Sequence, residues 1–205
     1  MSIDVYKYPD SSFNHSHSYL LPFVLKILKK NISLGDKIFE IGCGNGSVAK
    51  VLTTTGYNIV GIDPSQEGIE IANKAYPELK LHFGSTLEDL ALKFGHFNLI
   101  LSLEVVEHVY DPFEFAKRAN DLLLPNGMLL LSTPFHGYLK NLALSIFDKW
   151  DDHFTALWQG GHIKFWSPKT ITSLLNQTGF KVIEIHKVGR VPFLAKSMLV
   201  LAVKI

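Results

Sequence analysis

Two groups of residues in this 205-residue chain have types and spacings suited to chemistry. The first is Glu40-Ile41-Gly42-Cys43-Gly44-Asn45-Gly46, an acid followed by three alternating glycines. Glycines at that spacing let a backbone loop come close to a ligand, because they accept left-handed conformations and carry no Cβ. A dinucleotide loop reads G-x-G-x-x-G and seats a pyrophosphate at a helix N-terminus. Here the third glycine arrives one residue early, and Glu40 stands beside the loop. A carboxylate in that place repels a pyrophosphate and attracts an ammonium, which favours a ligand with an amino-acid end. Asp63, in Gly61-Ile62-Asp63-Pro64-Ser65, follows at the distance expected for a carboxylate that accepts bonds from ribose hydroxyls. It could also cap the next helix, and the two roles are compatible.

The second group is Glu104, Glu107 and His108, at i, i+3 and i+4. On a helix these three share one face. Together they could hold a divalent ion; two carboxylates suit magnesium, for which histidine is an unusual ligand. The alternative is that they position a substrate through hydrogen bonds, without metal. His108, His136, His153 and His162 are candidates for removing a proton, since histidine titrates in the useful range. His162, in Gly160-Gly161-His162-Ile163-Lys164-Phe165-Trp166-Ser167, reads either as a base or as a structural hydrogen bond that holds its segment. His136 and His153 read as packing or solvated histidines. Asp151-Asp152-His153 has the residue types of a metal site but no second cluster to complete it. Cys43 reads as structural.

These residues need a frame. Strand-like apolar runs occur at Lys37–Ile41, Tyr57–Ile62, Leu79–Phe83, Phe97–Ser102, Met128–Ser132, Lys181–His186 and Ser197–Val203. The middle runs are continuous rather than alternating, as in parallel strands covered on both faces. Helical patterns lie at Tyr19–Lys30, Ser47–Thr55, Gln66–Ala75, Phe113–Leu124 and Pro168–Thr178, the last closed by Gly179. Lys187–Lys196 is too short for a crossover helix, so the last two strands should be antiparallel neighbours. The implied architecture is α/β, a doubly wound, seven-stranded, mostly parallel sheet with the last strand antiparallel.

The pattern divides one domain, 1–205, into an N-terminal arm and helix (1–34), the α/β body, and an aromatic- and histidine-rich lid or substrate insertion (135–167). Tyr6, Tyr8, His15, His17 and Tyr19 make the arm either a cover for a ligand or a segment packed on the sheet. Within the insertion, Leu139, Leu142, Ala143, Ile146, Phe147 and Trp150 fall on one helical face. That face reads as core or a dimer contact, with a membrane interface as the alternative.

Composition narrows the function classes. Hydrophobic residues make up 47% and charged residues 19%, so the chain should fold. A formal charge of +1 gives no basic excess that would call for nucleic acid. A single cysteine cannot form an internal disulfide, so the expected compartment is reducing and cytoplasmic. No apolar run reaches a membrane-spanning length, and the first ten residues do not read as a signal peptide.

The glycine loop with Gly61-Ile62-Asp63 resembles the class I S-adenosylmethionine-dependent methyltransferases, of Rossmann-like fold. The resemblance continues through Gly84-Ser85-Thr86-Leu87-Glu88-Asp89, Phe97-Asn98-Leu99-Ile100 and Leu124-Pro125-Asn126-Gly127, with Asn98 and Asn126 departing from the usual Asp and Gly. Glu104-Val105-Val106-Glu107-His108-Val109-Tyr110-Asp111-Pro112 is similar to a segment of the ubiquinone-biosynthesis O-methyltransferases, in which a magnesium requirement accompanies the motif. The resemblance implies that Glu40, Gly42, Gly44, Asn45, Gly46, Asp63, Pro64, Thr86, Leu87 and Leu103 border S-adenosylmethionine. It implies His162, His108 and Glu107 as catalytic and Glu104, Glu107 and His108 as metal ligands. The acceptor would be a small or lipid-tailed molecule methylated at oxygen, a phenol, quinol or sugar hydroxyl. The expected protein is a monomer or homodimer, cytoplasmic, with membrane contact at most peripheral. A cofactor-binding partner subunit and a nicotinamide-dependent oxidoreductase are the rival readings.

Overall fold

A computed structural model of the chain describes residues 8–154, 157–158 and 160–205. The start of the arm, with Tyr6, and three positions of the insertion (155, 156 and 159) therefore lie outside the described residues.

Seven strands form one sheet in the order β3-β2-β1-β4-β5-β7-β6. They are β1 (Lys37–Ile41), β2 (Asn58–Asp63), β3 (Lys80–Phe83), β4 (Phe97–Leu103), β5 (Leu123–Pro134), β6 (Phe180–Val188) and β7 (Ser197–Lys204). Neighbours among β1 to β5 pair in parallel, and β7 runs antiparallel to both β5 and β6. The expected architecture is thus the observed one. The central strands are buried on both faces because helices cover both. Helices α1 (His17–Asn31), α2 (Ser47–Thr54) and α3 (Gln66–Ala75) pack their apolar sides on one face. Helices α4 (Leu90–Phe94), α5 (Pro112–Asp121) and α8 (Pro168–Gln177) cover the other.

Local chemistry sets where these helices begin. Asp111 accepts from the Phe113 and Glu114 amides with Pro112 in the first turn of α5. Ser167 forms a capping box with Thr170 ahead of Pro168 in α8. Both departures from the family pattern keep a structural role. Asn98 Oδ1 accepts from the Lys37 amide at 2.9 Å and ties the starts of β1 and β4. Asn126 adopts φ 61°, a left-handed conformation that asparagine tolerates better than most residues.

Two expectations are corrected. Helix α6 (Tyr138–Ile146) forms in the insertion, but none of its residues is buried. Leu139, Leu142 and Ile146 are 51%, 42% and 67% exposed, so this face is not core. The segment with Glu104, Glu107 and His108 is a turn, not a helix. Glu104 sits at φ 54°, which breaks any helical run at its first member. Short helices α4 and α7 (Trp150–Phe154) fall where the sequence pattern marks no element.

Candidate active site

Both groups of chemical residues lie at the carboxyl ends of the parallel strands, where an open α/β sheet forms its binding crevice. Glu40 is the fourth residue of β1, and the glycine loop runs from there to α2. Gly42 has φ 83° and Gly44 φ 50°, so the loop's path needs glycine. A Cβ on Gly42 would strike Val105, and one on Gly44 would strike the Tyr8 ring. The Gly42 and Cys43 amides donate to Ile62 O at 2.8 and 3.0 Å, which clamps the loop to β2.

Asp63 ends β2 and fastens the same loop. Its Oδ2 accepts from the Gly44 amide at 2.8 Å, and its Oδ1 accepts from the Ser65 amide at 2.7 Å. Ser65 caps α3, not Asp63. Each Asp63 oxygen keeps a second lone pair for a ligand hydroxyl. Burial pushes its pKa up, and the two amide bonds pull it back.

Glu40 is buried, and its Oε2 has no hydrogen-bond partner among the described residues. Burial, with the Asp63 charge beside it, raises its pKa to about 8. A buried, unpartnered carboxylate oxygen is costly unless a ligand satisfies it. An ammonium would do so, which makes the residues present a fit for an amino-acid end. Cys43 is buried, and its thiol pKa is pushed up by burial, Glu40 and Asp63 in that order. That keeps the thiol protonated and unreactive.

The other predicted contacts spread along this edge. Pro64 is exposed after Asp63, and Leu103 is buried at the end of β4. Thr86 and the exposed Leu87 lie in the loop after β3, whose Gly84 amide donates to Asp63 O. Asn45 is committed elsewhere. Its Nδ2 donates to Asp10 O and Ser12 O, both at 2.8 Å, so it anchors the N-terminal arm. Tyr76 adds a bond to Ser11 O, and the Tyr8 ring packs over Gly44 and Gly68. The sequence leaves the arm's placement open; the structure lays residues 8–12 across the glycine loop.

Beyond β4 the acids separate. Glu104 Oε1 accepts from Ser132 Oγ at 2.7 Å and its Oε2 from Ser197 Oγ at 3.2 Å; Tyr19 Oη lies 3.0 Å from that same Ser197 Oγ. Burial raises its pKa to about 7, against the pull of both serines. Glu107 is fully buried; among the described residues its carboxylate oxygens make no well-formed hydrogen bond, the Thr133 hydroxyl being the polar side chain that pulls on it. Burial, then the Glu104 charge, pushes its pKa well up, so it holds a proton more readily than an ordinary carboxylate.

The insertion completes this end. Ile163 and Lys164 donate their amides to Glu107 O, both at 3.0 Å, and Trp166 Nε1 donates to Val106 O at 3.3 Å. These bonds bring His162 onto the turn. His108 Nδ1 lies 3.2 Å from Gly161 O, which as the acceptor assigns the proton to Nδ1 and leaves Nε2 the unprotonated nitrogen. The His108 and His162 rings lie 4.9 Å apart, edge to face. The cluster that forms is Glu107, His108 and His162, with one ligand atom from each within 4.8 Å of the others. Glu104 stands outside it, held by its serines, and His162 takes its place. Burial lowers both imidazole pKa values, that of His162 to about 4 with His108 adding to the effect. Both rings are therefore neutral near pH 7.

A methyltransferase-domain family model matches residues 13–185. The chain belongs to that family. The chain is 32% identical to the ubiquinone biosynthesis O-methyltransferase of Azorhizobium caulinodans over 159 residues, 74% of this chain and 61% of that protein. The Bradyrhizobium diazoefficiens protein of the same name is 31% identical over 170 residues, 79% of this chain and 65% of that one. The chain thus spans a little over six-tenths of the length of these relatives. Among solved structures, magnesium protoporphyrin IX methyltransferase from Synechocystis with bound S-adenosylhomocysteine superposes with a TM-score of 0.70. It is 20% identical and covers 97% of this chain and 91% of its own, which shows a shared fold. A [4+2]-cyclase shares the fold as well, at TM-score 0.68 and 13% identity, over 89% of this chain and 80% of its own. The fold alone therefore does not fix the reaction.

Proposed function

We propose that this chain transfers the methyl group of S-adenosylmethionine to an oxygen of a small or lipid-tailed acceptor, a phenol, quinol or sugar hydroxyl. The observation that carries the proposal is the pairing of two sites on one sheet edge. An unpartnered buried carboxylate and a glycine cradle suit the amino-acid end of the cofactor. A buried Glu107 with two neutral imidazoles suits a hydroxyl that must lose its proton. The relatives' names point to an oxygen acceptor.

In this reading Glu40, Gly42, Gly44 and Gly46 hold the methionine end, Asp63 holds the ribose, and Thr86 and Leu87 border the base. The acceptor oxygen attacks the methyl carbon in line, the C–S bond breaks, and its electron pair stays on sulfur. The hydroxyl proton passes to the neutral ring of His162, with His108 and Glu107 packed beside it. The sulfonium loses its charge as the bond forms, so most of the acceleration comes from positioning in a dry site. Magnesium fits this donor set poorly. One carboxylate and two imidazoles suit a borderline ion such as zinc or cobalt, whereas magnesium takes oxygen ligands.

The lipid-tailed alternative for the acceptor rests on α6. Tyr138, Leu139, Leu142, Ile146 and Phe147 are exposed along it, and no helix among the described residues is long and apolar enough to cross a membrane. Such a face suits peripheral contact with a bilayer.

Calorimetric titration with S-adenosylhomocysteine, with NADH as control, tests the cofactor. Micromolar binding of the first alone is expected, followed by methyl transfer to a catechol panel. Binding of NADH alone sinks the proposal in favour of an oxidoreductase. Binding of S-adenosylhomocysteine with no transfer to any hydroxyl favours a partner subunit.

A further inference from the structure

His136 and His153 face each other across the insertion and take no part in the reaction above. His136 lies just beyond β5 and is buried, and His153 comes from α7. Their Nε2 atoms are 3.4 Å apart. That is long for a hydrogen bond from a ring nitrogen, whose usual separation is about 2.9–3.0 Å. It matches two nitrogens on one tetrahedral ion, which stand about 3.3–3.4 Å apart when each bond is about 2.0–2.1 Å.

The surroundings prepare His136 as a ligand. Its Nδ1 lies 3.2 Å from Asn141 Oδ1, an acceptor, so the proton is assigned to Nδ1 and the Nε2 lone pair points at His153. Metal-binding histidines have this outer support as a rule. Phe165 packs edge-on against the His136 ring at 4.8 Å and fixes its plane.

From this geometry we infer that His136 and His153 form a second cation site, for an imidazole-preferring divalent ion such as zinc, nickel or cobalt, distinct from Glu107, His108 and His162. Water fills the remaining positions of the ion. An ion there would tie α7 of the insertion to the end of β5. The Lys140 ammonium, bonded to Phe135 O at 2.8 Å, lies near both histidines and near His162, and its charge opposes a cation there. Replacing it should strengthen the site.

The test is titration of the whole chain with Co2+, read by its visible absorption, and with Zn2+, read by calorimetry. Binding of S-adenosylhomocysteine in each variant reports that the fold is kept. The expected result is that His136→Ala binds one ion fewer per chain than the natural protein. His153→Gln, which keeps a hydrogen-bonding partner but removes the imidazole, should also bind one fewer. His162→Ala should keep the ion at the His136–His153 pair. Asn141→Ala should weaken that ion about tenfold, as loss of outer-shell support does, and Lys140→Gln should tighten it. Unchanged stoichiometry in His136→Ala and His153→Gln would overturn the inference. So would loss of all binding in His162→Ala.

Discussion

The two ends of the crevice are built by different means. At the glycine loop the backbone does the positioning. Gly42, Cys43 and Gly44 hang from Ile62 O and Asp63 by amide bonds, and the strands fix both acids. At the histidine end the positioning is done by a distant segment of chain. Residues 163–166 bond back to Val106 and Glu107 and so deliver His162 more than 50 positions along the sequence. A site made of strand ends tolerates change elsewhere, whereas a site made by an inserted segment depends on how that segment is fastened.

The largest expected effect comes from breaking the histidine end. His162→Ala and Glu107→Gln should each lower the rate of methyl transfer by roughly 10²–10⁴-fold, the usual range for a lost acid–base group. Affinity for S-adenosylhomocysteine should stay within about twofold, because neither side chain belongs to the loop. Single-turnover rates beside calorimetry check the split; equal loss of both would mean that the two ends are one unit. Asp63→Ala should do the reverse first. It removes the partner of the Gly44 and Ser65 amides together with a carboxylate for ribose, and charged hydrogen bonds contribute about 1.5–3 kcal/mol each. Cofactor affinity should fall by about 100-fold, while zinc binding at the histidines persists.

The same contrast explains what was legible in the sequence. The continuous apolar runs and the early third glycine already specified the sheet, its antiparallel last strand and the roles open to Glu40 and Asp63. Those features are local, since a strand followed by a glycine turn carries its own geometry. The histidine end was legible only as residue types. Glu104, Glu107 and His108 have helical spacing, and nothing in the spacing says that Glu104 turns left-handed and leaves the group for Ser132 and Ser197. The replacement, His162, is a tertiary contact made by the insertion. Asn45 hides a second role for the opposite reason. It lies in a cofactor motif, yet its side chain is taken by an arm whose packing no local pattern announces.

Glu40 offers a smaller effect with a definite sign. Its pKa is about 8 in the folded chain against an ordinary 4.5. Between those values the folded state holds a proton that the unfolded state has lost. Its contribution is therefore complete below the lower value and declines as pH rises through the higher one. At about 1.4 kcal/mol per pKa unit, the cofactor-free protein should lose a few kcal/mol of stability between pH 5 and pH 8 from this group alone. Glu40→Gln should flatten that part of the profile in urea unfolding and raise stability at pH 8. If the variant follows the natural protein's pH profile, another group carries it. Added S-adenosylmethionine should remove much of the penalty in the natural protein, since an ammonium partner favours the charged carboxylate.

The smallest effect separates the arm from both ends. Asn45→Ala deletes two bonds to the carbonyls of Asp10 and Ser12. Each such bond contributes about 1 kcal/mol, and the freed carbonyls reach water once the arm lifts. Global stability should therefore fall by about 1 kcal/mol, while limited proteolysis within residues 8–16 accelerates well beyond that. The arm covers Gly44 through Tyr8, so its release should speed cofactor dissociation while leaving His162 in place. Faster dissociation with an unchanged chemical step would make the arm a cover on the backbone-built end. A slower chemical step at saturating cofactor would instead tie the arm to the histidine end, through Tyr19, Ser197 and Glu104.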